Sequence, residues 1–247
     1  MATPNRILER YRNGEKALGI QMGFVSEVVI EVAAKMGMDF ISLDGQHGAL
    51  TLPTIETVCR ICDGFGISPA MRVVDQSEAA ILTALDRGMQ MITVPNLQTA
   101  EEAEQMVQFG FYGPLGRRSA MSQRVAYSLN DTSDSREIFK FTNENTIIVP
   151  QLESKTAFDN LDEILQVEGI EFFAGGPQDI AQSMGYPGEP NHPECVAAYE
   201  QACEKVRAAG KHMISDAIVS VDAFGTIYNA GKALLEEHGR ECGMNIA

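Results

Sequence analysis

The feature that most constrains this 247-residue chain is a helical pattern that ends in glycine and is followed within a few residues by an apolar strand. Glycine suits the left-handed residue that follows a helix, and a short link from helix to strand closes one unit of an α/β fold. A chain built from such units predicts parallel strands with helices between them. The unit recurs at five positions: Gly37, Gly66, Gly88, Gly169 and Gly210.

The apolar segments predict where the strands lie. We expect strands at 17–23, 39–44, 68–73, 90–95, 146–151 and 170–174, and a seventh within the apolar run 212–221. An eighth strand has to occupy 217–221 or be missing. The repeat favours a single (β/α)₈ TIM barrel domain over residues 1–247, with a last βα unit that is atypical or truncated, and a doubly wound sheet is the alternative.

Helix starts carry signals of their own. Ser26 and Ser77 each precede a stripe of apolar residues at helical spacing, which is typical of an N-cap. Thr99 and Glu102 form a capping-box pattern at the start of the next helix. Segment 110–145 interrupts the rhythm and is rich in Gly, Arg and Ser, so we expect a functional or interfacial excursion there.

Charge and composition limit the partners of the chain. It carries 19 basic and 34 acidic side chains, a formal net charge of −15, and no basic patch to neutralise phosphates, which argues against nucleic acid or an anionic membrane as a partner. No apolar run approaches the roughly 20 residues of a membrane span, so we expect a cytoplasmic protein. Of the five cysteines, Cys59 and Cys62 lie in one apolar helical stripe and are expected to pack in the core.

Two carboxylates follow neighbouring strands of one βαβ unit. Glu153 lies just past the strand that begins at Ile147, and Asp179 lies just past the strand that ends in Gly175-Gly176-Pro177. Ligands of parallel α/β sheets collect at the carboxyl ends of the strands, and two oxygen ligands with room for water suit Mg²⁺ or Mn²⁺. The alternative is that both are solvated loop carboxylates.

Other strand ends add two candidates. His47 lies beyond strand two between Gly45 and Gly48, and it is either a residue that acts on a ligand or an exposed structural histidine. Arg72 ends strand three and is either a bidentate clamp for a carboxylate or part of a surface ion pair. The motifs of Rossmann dehydrogenases, P-loop enzymes and serine hydrolases are absent from the sequence.

Several segments together resemble the HpcH/HpaI family of metal-dependent pyruvate aldolases, typified by 4-hydroxy-2-oxoheptane-1,7-dioate aldolase and the 2-keto-3-deoxy sugar-acid aldolases. They span about residues 18–212 in the family's order. The segments are FISLDGQHG, MRV with Arg72, ILTALDRGMQMITVPNLQTAEEA, YGPLGRR, QLESKTAFDNLDEILQVEGI and GGPQDIAQSMGYPGEPNHPE.

The resemblance implies a function and a site. It implies a (β/α)₈ barrel that reversibly cleaves a 2-keto-4-hydroxy acid to pyruvate and an aldehyde, with a divalent metal, Mg²⁺, Mn²⁺ or Co²⁺, held by Glu153 and Asp179. Gln151 and Arg72 match positions that bind the substrate and steady the enolate, and the loop Gly175-Gly176-Pro177 matches the one whose backbone amides receive the carboxylate. His47 matches the catalytic base and Asp86 the carboxylate paired with it.

The resemblance also implies a homo-oligomer, usually a hexamer built as a trimer of dimers, with the C-terminal helix 222–240 exchanged between subunits. Two other functions remain open: decarboxylation of an oxaloacetate-type keto acid at the same site, and a non-catalytic barrel that binds a small keto acid. Two departures from the family pattern bear on specificity. Gln46 stands where the family has Glu, and the loop Gly116-Arg117-Arg118-Ser119 replaces Gly-x-Arg-Gly.

Overall fold

The computed structural model describes residues 3–120 and 134–245, in which eight parallel strands alternate with helices. The sheet order is β7-β6-β5-β4-β3-β2-β1-β8, so nearly every strand lies beside its neighbour in sequence. The strands are β1 (Ala17–Met22), β2 (Phe40–Asp44), β3 (Ser68–Arg72), β4 (Met91–Val94), β5 (Ile147–Leu152), β6 (Phe172–Gly175), β7 (His212–Met213) and β8 (Ile218–Asp222).

Helices separate the strands. They are α1 (Arg6–Arg12), α2 (Glu27–Met36), α3 (Leu52–Phe65), α4 (Glu78–Arg87), α5 (Ala100–Gly110), α6 (Ser135–Glu144), α7 (Lys155–Asp159), α8 (Leu161–Ile164), α9 (Pro177–Ser183), α10 (Pro193–Ala208), α11 (Ile214–Ala217) and α12 (Ala223–Glu237). Two short helices, α7 and α8, follow β5, and Asn160 lies between them as the C-cap of the first and the N-cap of the second.

The local signals in the sequence are confirmed. Ser26 and Ser77 accept hydrogen bonds from the third backbone N–H beyond them, and Thr99 with Glu102 forms the capping box. The five predicted helix-ending glycines all have positive φ, between 70° and 109°. Because a side chain disfavours that backbone conformation, these glycines set where each helix stops and the next strand begins.

The core lies in two layers. Strand and helix side chains pack together on the outside of the sheet, and this layer contains Cys59 and Cys62, both fully buried as expected for core residues. A smaller cluster on the inner face, built around Phe40 and Phe172, is covered by Ile7 and Leu8 of α1. The sequence patterns did not predict α1, which covers the amino ends of the strands.

The C-terminal part settles one open point of the prediction. The eighth strand is present as β8, pairs in parallel with β1, and is followed by the full-length helix α12, so the last βα unit is not truncated. The short unit is instead the seventh, where β7 has two residues and α11 is a single turn. β7 and β8 are the end strands of the hydrogen-bonded order, so closure of the barrel between them stays a prediction.

The excursion at 110–145 is described in part. It contains α6, which stacks Phe139 on Tyr112, while residues 121–133 lie outside the described residues. Of the helices in residues 3–120 and 134–245, none has both the length and the apolar character needed to cross a membrane.

Candidate active site

The predicted polar residues converge on the carboxyl ends of the strands. Arg72 ends β3, Gln151 lies near the end of β5 and Glu153 follows it directly. Asp179 lies in the first turn of α9, which follows β6. Because all strands are parallel and β5 pairs with β6 at Gln151 and Leu152, these side chains share one edge of the sheet.

Glu153 is a buried carboxylate, with 6% of the residue exposed. Burial raises the pKa of Glu153, while a hydrogen bond from the Asn96 backbone N–H to Oε1, at 2.7 Å, acts in the opposite direction. The negative charge of Asp179 raises this pKa further, and the positive charge of Arg72 lowers it. Asp179 and Arg72 therefore both lie within electrostatic reach of Glu153.

Asp179 is exposed and its helix begins just after the two predicted glycines. Gly175 ends β6, Gly176 is the N-cap of α9 and Pro177 is its first residue. A Cβ at Gly176 would collide with Oε2 of Glu153, so the backbone passes close to this oxygen only because the residue is glycine. The second oxygen of Glu153 thus faces the loop that carries Asp179.

Arg72 is paired with Asp44, a residue to which the sequence reasoning gave no role. The guanidinium donates from Nε to Oδ1 at 3.0 Å and from Nη2 to Oδ2 at 2.5 Å. Burial alone would raise the pKa of Asp44, but the hydrogen bonds from Arg72 and from the backbone N–H groups of His47 and Gln46 bring it below its usual value. The signal for this pair was the strand register, since Asp44 and Arg72 are cross-strand partners.

Gln151, near the end of β5, is buried. Its Nε2 lies 3.5 Å from the carbonyl oxygen of Gly175, which is a weak donor contact. Among residues 3–120 and 134–245, its buried Oε1 has no hydrogen-bond partner. A buried carbonyl oxygen without a partner is costly, so this atom is available to a ligand that fills the site.

His47 and Asp86 are not brought together within one chain. His47 is exposed beyond β2, and its backbone N–H donates to Asp44. Asp86 lies in the last turn of α4, near the amino end of β4, and its carboxylate accepts a hydrogen bond from Arg118 at 2.9 Å. The predicted pair of His47 and Asp86 stays a prediction, and a single chain places its members at opposite ends of the strands.

Two further residues support the site and were missed by the sequence reasoning. Asn96 follows β4 and donates to Glu153. Tyr199 of α10 packs against Gly175, where a Cβ would collide with its ring, and burial raises the pKa of this tyrosine above its usual range. Neither carried a recognisable motif. Asn96 follows Val94-Pro95 and by sequence indicates only a turn. Tyr199 lies at helical spacing from apolar residues and by sequence indicates only a core position.

The donor set fits a hard divalent cation. Two carboxylates and Oε1 of Gln151 are oxygen donors, and a cation would offset the burial and the Asp179 charge that raise the pKa of Glu153. Among residues 3–120 and 134–245 there is no group of three or more His, Cys, Asp or Glu side chains suited to a metal. The predicted site has only two such side chains, Glu153 and Asp179, so it does not form a group of three.

Comparisons with known proteins identify the family of the chain. The family model for HpcH/HpaI aldolase/citrate lyase matches residues 22–239. A 2-keto-3-deoxy-L-rhamnonate aldolase of Escherichia coli (strain K12) is 35% identical over 210 residues, which cover 84% of this chain and 77% of that protein. The same enzyme from Escherichia coli O157:H7 is 34% identical with the same coverage.

Solved structures share the fold. An HpcH/HpaI aldolase from Desulfitobacterium hafniense DCB-2 superposes with a TM-score of 0.85 at 20% identity, covering 97% of this chain and 98% of that one. The citrate synthase SbnG superposes with a TM-score of 0.81 at 26% identity, covering 94% and 96%. The extent of the family match and the identity to curated relatives lead to one conclusion: this chain belongs to the HpcH/HpaI aldolase/citrate lyase family and is a carbon–carbon lyase.

Proposed function

We propose that this protein catalyses the reversible aldol cleavage of a 2-keto-4-hydroxy acid to pyruvate and an aldehyde, using a divalent metal held by Glu153 and Asp179. The observation that carries the proposal is the buried carboxylate of Glu153 at the carboxyl ends of the strands, within electrostatic reach of Asp179 and Arg72. Mg²⁺ and Mn²⁺ suit two carboxylates best, and Co²⁺ is a further candidate.

The chemistry follows from the residues present. A divalent metal bound by Glu153 and Asp179 would supply a Lewis acid for the keto group of the substrate. Arg72 is held by Asp44 through Nε and Nη2, which leaves Nη1 to donate to the keto acid and to stabilise the enolate charge. Gln151 and the loop Gly175-Gly176-Pro177 line the place where the carboxylate of the substrate would bind.

Cleavage also requires removal of the proton from the 4-hydroxyl group. His47 is the candidate base. It lies in the turn after β2, close in sequence to the Asp44 that holds Arg72, and its side chain is exposed. The relatives' printed name makes the 2-keto-3-deoxy sugar acids the first substrates to test. Decarboxylation of oxaloacetate would need the same enolate stabilisation without this base.

The direct test is a pyruvate-release assay on a panel of 2-keto-3-deoxy sugar acids, other 2-keto-4-hydroxy acids and oxaloacetate, with and without chelator. We expect activity to vanish with chelator and to return with Mg²⁺ or Mn²⁺. The double variant Glu153→Ala, Asp179→Ala should stay inactive after metal is restored. The control Asp162→Ala, Glu163→Ala removes two exposed carboxylates of α8 and should keep full activity. Full activity of the first variant after exhaustive chelation contradicts the proposal.

We also propose that the protein is a homo-oligomer, a hexamer arranged as a trimer of dimers with α12 exchanged between subunits. Support comes from exposed apolar side chains on α2 and α12, where isolated monomers rarely keep such surfaces. Among them, Val28 is 68% exposed, Met36 69% and Ile227 62%. The predicted pairing of His47 with Asp86 would itself require another copy, because one chain places the two residues at opposite ends of the strands. Light scattering on the wild type and on Ile227→Asp tests the assembly.

A further inference from the structure

The turn after β4 holds Asn96 in a left-handed backbone conformation, with φ at 59°. In residues 3–120 and 134–245 it is the one residue other than glycine with positive φ. Asparagine tolerates this conformation better than most residues, whereas a β-branched residue strongly disfavours it. Asn96 itself is exposed, so core packing does not require the conformation.

The conformation aims two successive N–H groups at β5. The N–H of Asn96 donates to Oε1 of Glu153 at 2.7 Å, and the N–H of Leu97 donates to the carbonyl oxygen of Gln151 at 3.2 Å. The turn therefore contacts two polar residues of the candidate site, Gln151 in β5 and Glu153 directly after it.

Side chains from two other parts of the chain, and one from the loop itself, hold the turn. Nε2 of Gln76, in the loop before α4, donates to the carbonyl oxygens of Pro95, at 3.3 Å, and of Asn96. Nε2 of Gln98 donates to Oδ1 of Asn96 at 3.1 Å, and Nδ2 of Asn160 donates to the carbonyl oxygen of Gln98 at 2.9 Å. None of these groups lies in β5 or α9.

The consequence is that the two oxygens of Glu153 have different surroundings. Oε1 accepts the hydrogen bond from the Asn96 N–H, and Oε2 faces Gly176, at the start of the helix that carries Asp179. Without the Asn96 bond the carboxylate could rotate, and its two oxygens would no longer be distinct. An outer partner that orients a ligating carboxylate typically changes metal affinity 10–100-fold when it is removed.

We propose that Asn96, held by Gln76, is a positioning residue that sets the divalent-metal affinity of Glu153 through its backbone N–H. The inference rests on the proposed metal site. It assigns to the left-handed conformation a role in binding, and it predicts that the side chain of Asn96 matters far less than its backbone geometry.

The experiment is calorimetric titration of the metal-free protein with Mn²⁺ alone, without substrate. Asn96→Gly keeps the left-handed conformation and the N–H, so its dissociation constant should stay within about threefold of the wild type. Asn96→Val disfavours the conformation and should bind about 10–100-fold more weakly. Gln76→Met removes the grip on the turn while Asn96 is unchanged, and its affinity should fall about tenfold. Glu153→Gln removes the proposed metal-ligating carboxylate and shows how much of the Mn²⁺ binding depends on it.

Circular dichroism establishes that each variant is folded before titration. Wild-type affinity in both Asn96→Val and Gln76→Met would overturn the inference while leaving the proposed metal site intact. Equal losses in Asn96→Gly and Asn96→Val would also overturn it, because the side chain would then be the cause. If Asn96→Val is unfolded, Gln76→Met decides. A wild type that binds no Mn²⁺, or binds it independently of Glu153, would overturn the proposed function together with this inference.

Discussion

Two arginine–aspartate pairs at opposite ends of the strands have opposite characters. At the carboxyl ends, Arg72 and Asp44 share two hydrogen bonds, and their side chains are 24% and 13% exposed. At the amino ends, Arg118 and Asp86 share a 2.9 Å contact, and their side chains are 1% and 18% exposed. Within the described residues, Nε and Nη1 of Arg118 have no hydrogen-bond partner. The arginine of the first pair is reachable from solvent, whereas the arginine of the second pair is buried and has spare donors.

The comparison suggests that the two pairs have different roles, one in binding and one in the fold. A guanidinium that is fixed by a carboxylate yet open to solvent can still receive a ligand, so the Arg72 pair is suited to binding. A buried guanidinium is shielded from solvent and from ligands, and its removal leaves its partner carboxylate without a counter-charge. The Arg118 pair is therefore expected to matter for the fold or for contacts around Asp86. Activity and stability should therefore respond differently at the two ends.

Removal of Arg118 should give the largest loss of stability. Arg118→Met leaves the carboxylate of Asp86 without this cation, and we expect a loss at the lower end of the roughly 3–5 kcal/mol typical of broken buried pairs. Urea unfolding measures the change. Arg117→Met is the matched control, since the Arg117 side chain is 58% exposed and pairs with an exposed Glu78, and it should cost less than about 1 kcal/mol. Similar costs for the two variants would remove the distinction between the ends.

Removal of the imidazole of His47 should separate two reactions at the carboxyl end. His47→Ala is expected to slow aldol cleavage roughly 10²-fold or more, while oxaloacetate decarboxylation, which has no 4-hydroxyl proton, should stay within about tenfold. Both rates are measured on the same purified variant. An equal loss in both reactions would mean that His47 orders the site or binds substrate, and an equal retention would place the base elsewhere.

Replacement of Arg72 by lysine tests the planar fork at the carboxyl end. Arg72→Lys keeps the charge but loses the two-point contact with Asp44, so kcat/KM should fall at least about tenfold, or about 1.4 kcal/mol. The loss of unfolding free energy should be smaller than for Arg118→Met. Arg60→Lys, on the exposed face of α3, is the control and should keep wild-type kcat/KM. An unchanged kcat/KM in Arg72→Lys would place Arg72 outside the site.

Replacement of Glu153 by glutamine should give the smallest effect, a change in stability that comes from the free energy needed to keep the buried carboxylate ionised. Its pKa is raised from an ordinary value near 4.5, so the metal-free fold is destabilised at neutral pH, where the carboxylate is charged, and this cost vanishes once pH falls below that ordinary value. Metal-free Glu153→Gln should therefore have a higher Tm than the wild type at pH 7–8, and the gain should disappear near pH 4. About 1 kcal/mol corresponds to roughly 2–4 °C in a chain of this size. A gain that is independent of pH would have another origin.

Local sequence signals predicted most of the fold because each acts over a few residues. Gly37, Gly66 and Gly88 require positive φ, and they mark the change from helix to strand whatever surrounds them. The exceptions are elements defined by distant contacts. α1 covers the amino ends of the strands through packing with Phe40 and Phe172, and it had no local pattern strong enough to predict. The seventh strand was expected within 212–221, but its short length, two residues, was not.

The sequence by itself determined which residues stand at the carboxyl ends of the strands, because parallel strands and short loops leave Arg72, Gln151, Glu153 and Asp179 no other edge. Only the tertiary structure decided which of them touch. The register pairs Arg72 with Asp44, the left-handed turn at Asn96 holds Glu153, and the length of α4 carries Asp86 to the far end of the strands. Chain position sets the edge on which a side chain lies, whereas hydrogen bonds between residues far apart in sequence set its neighbours.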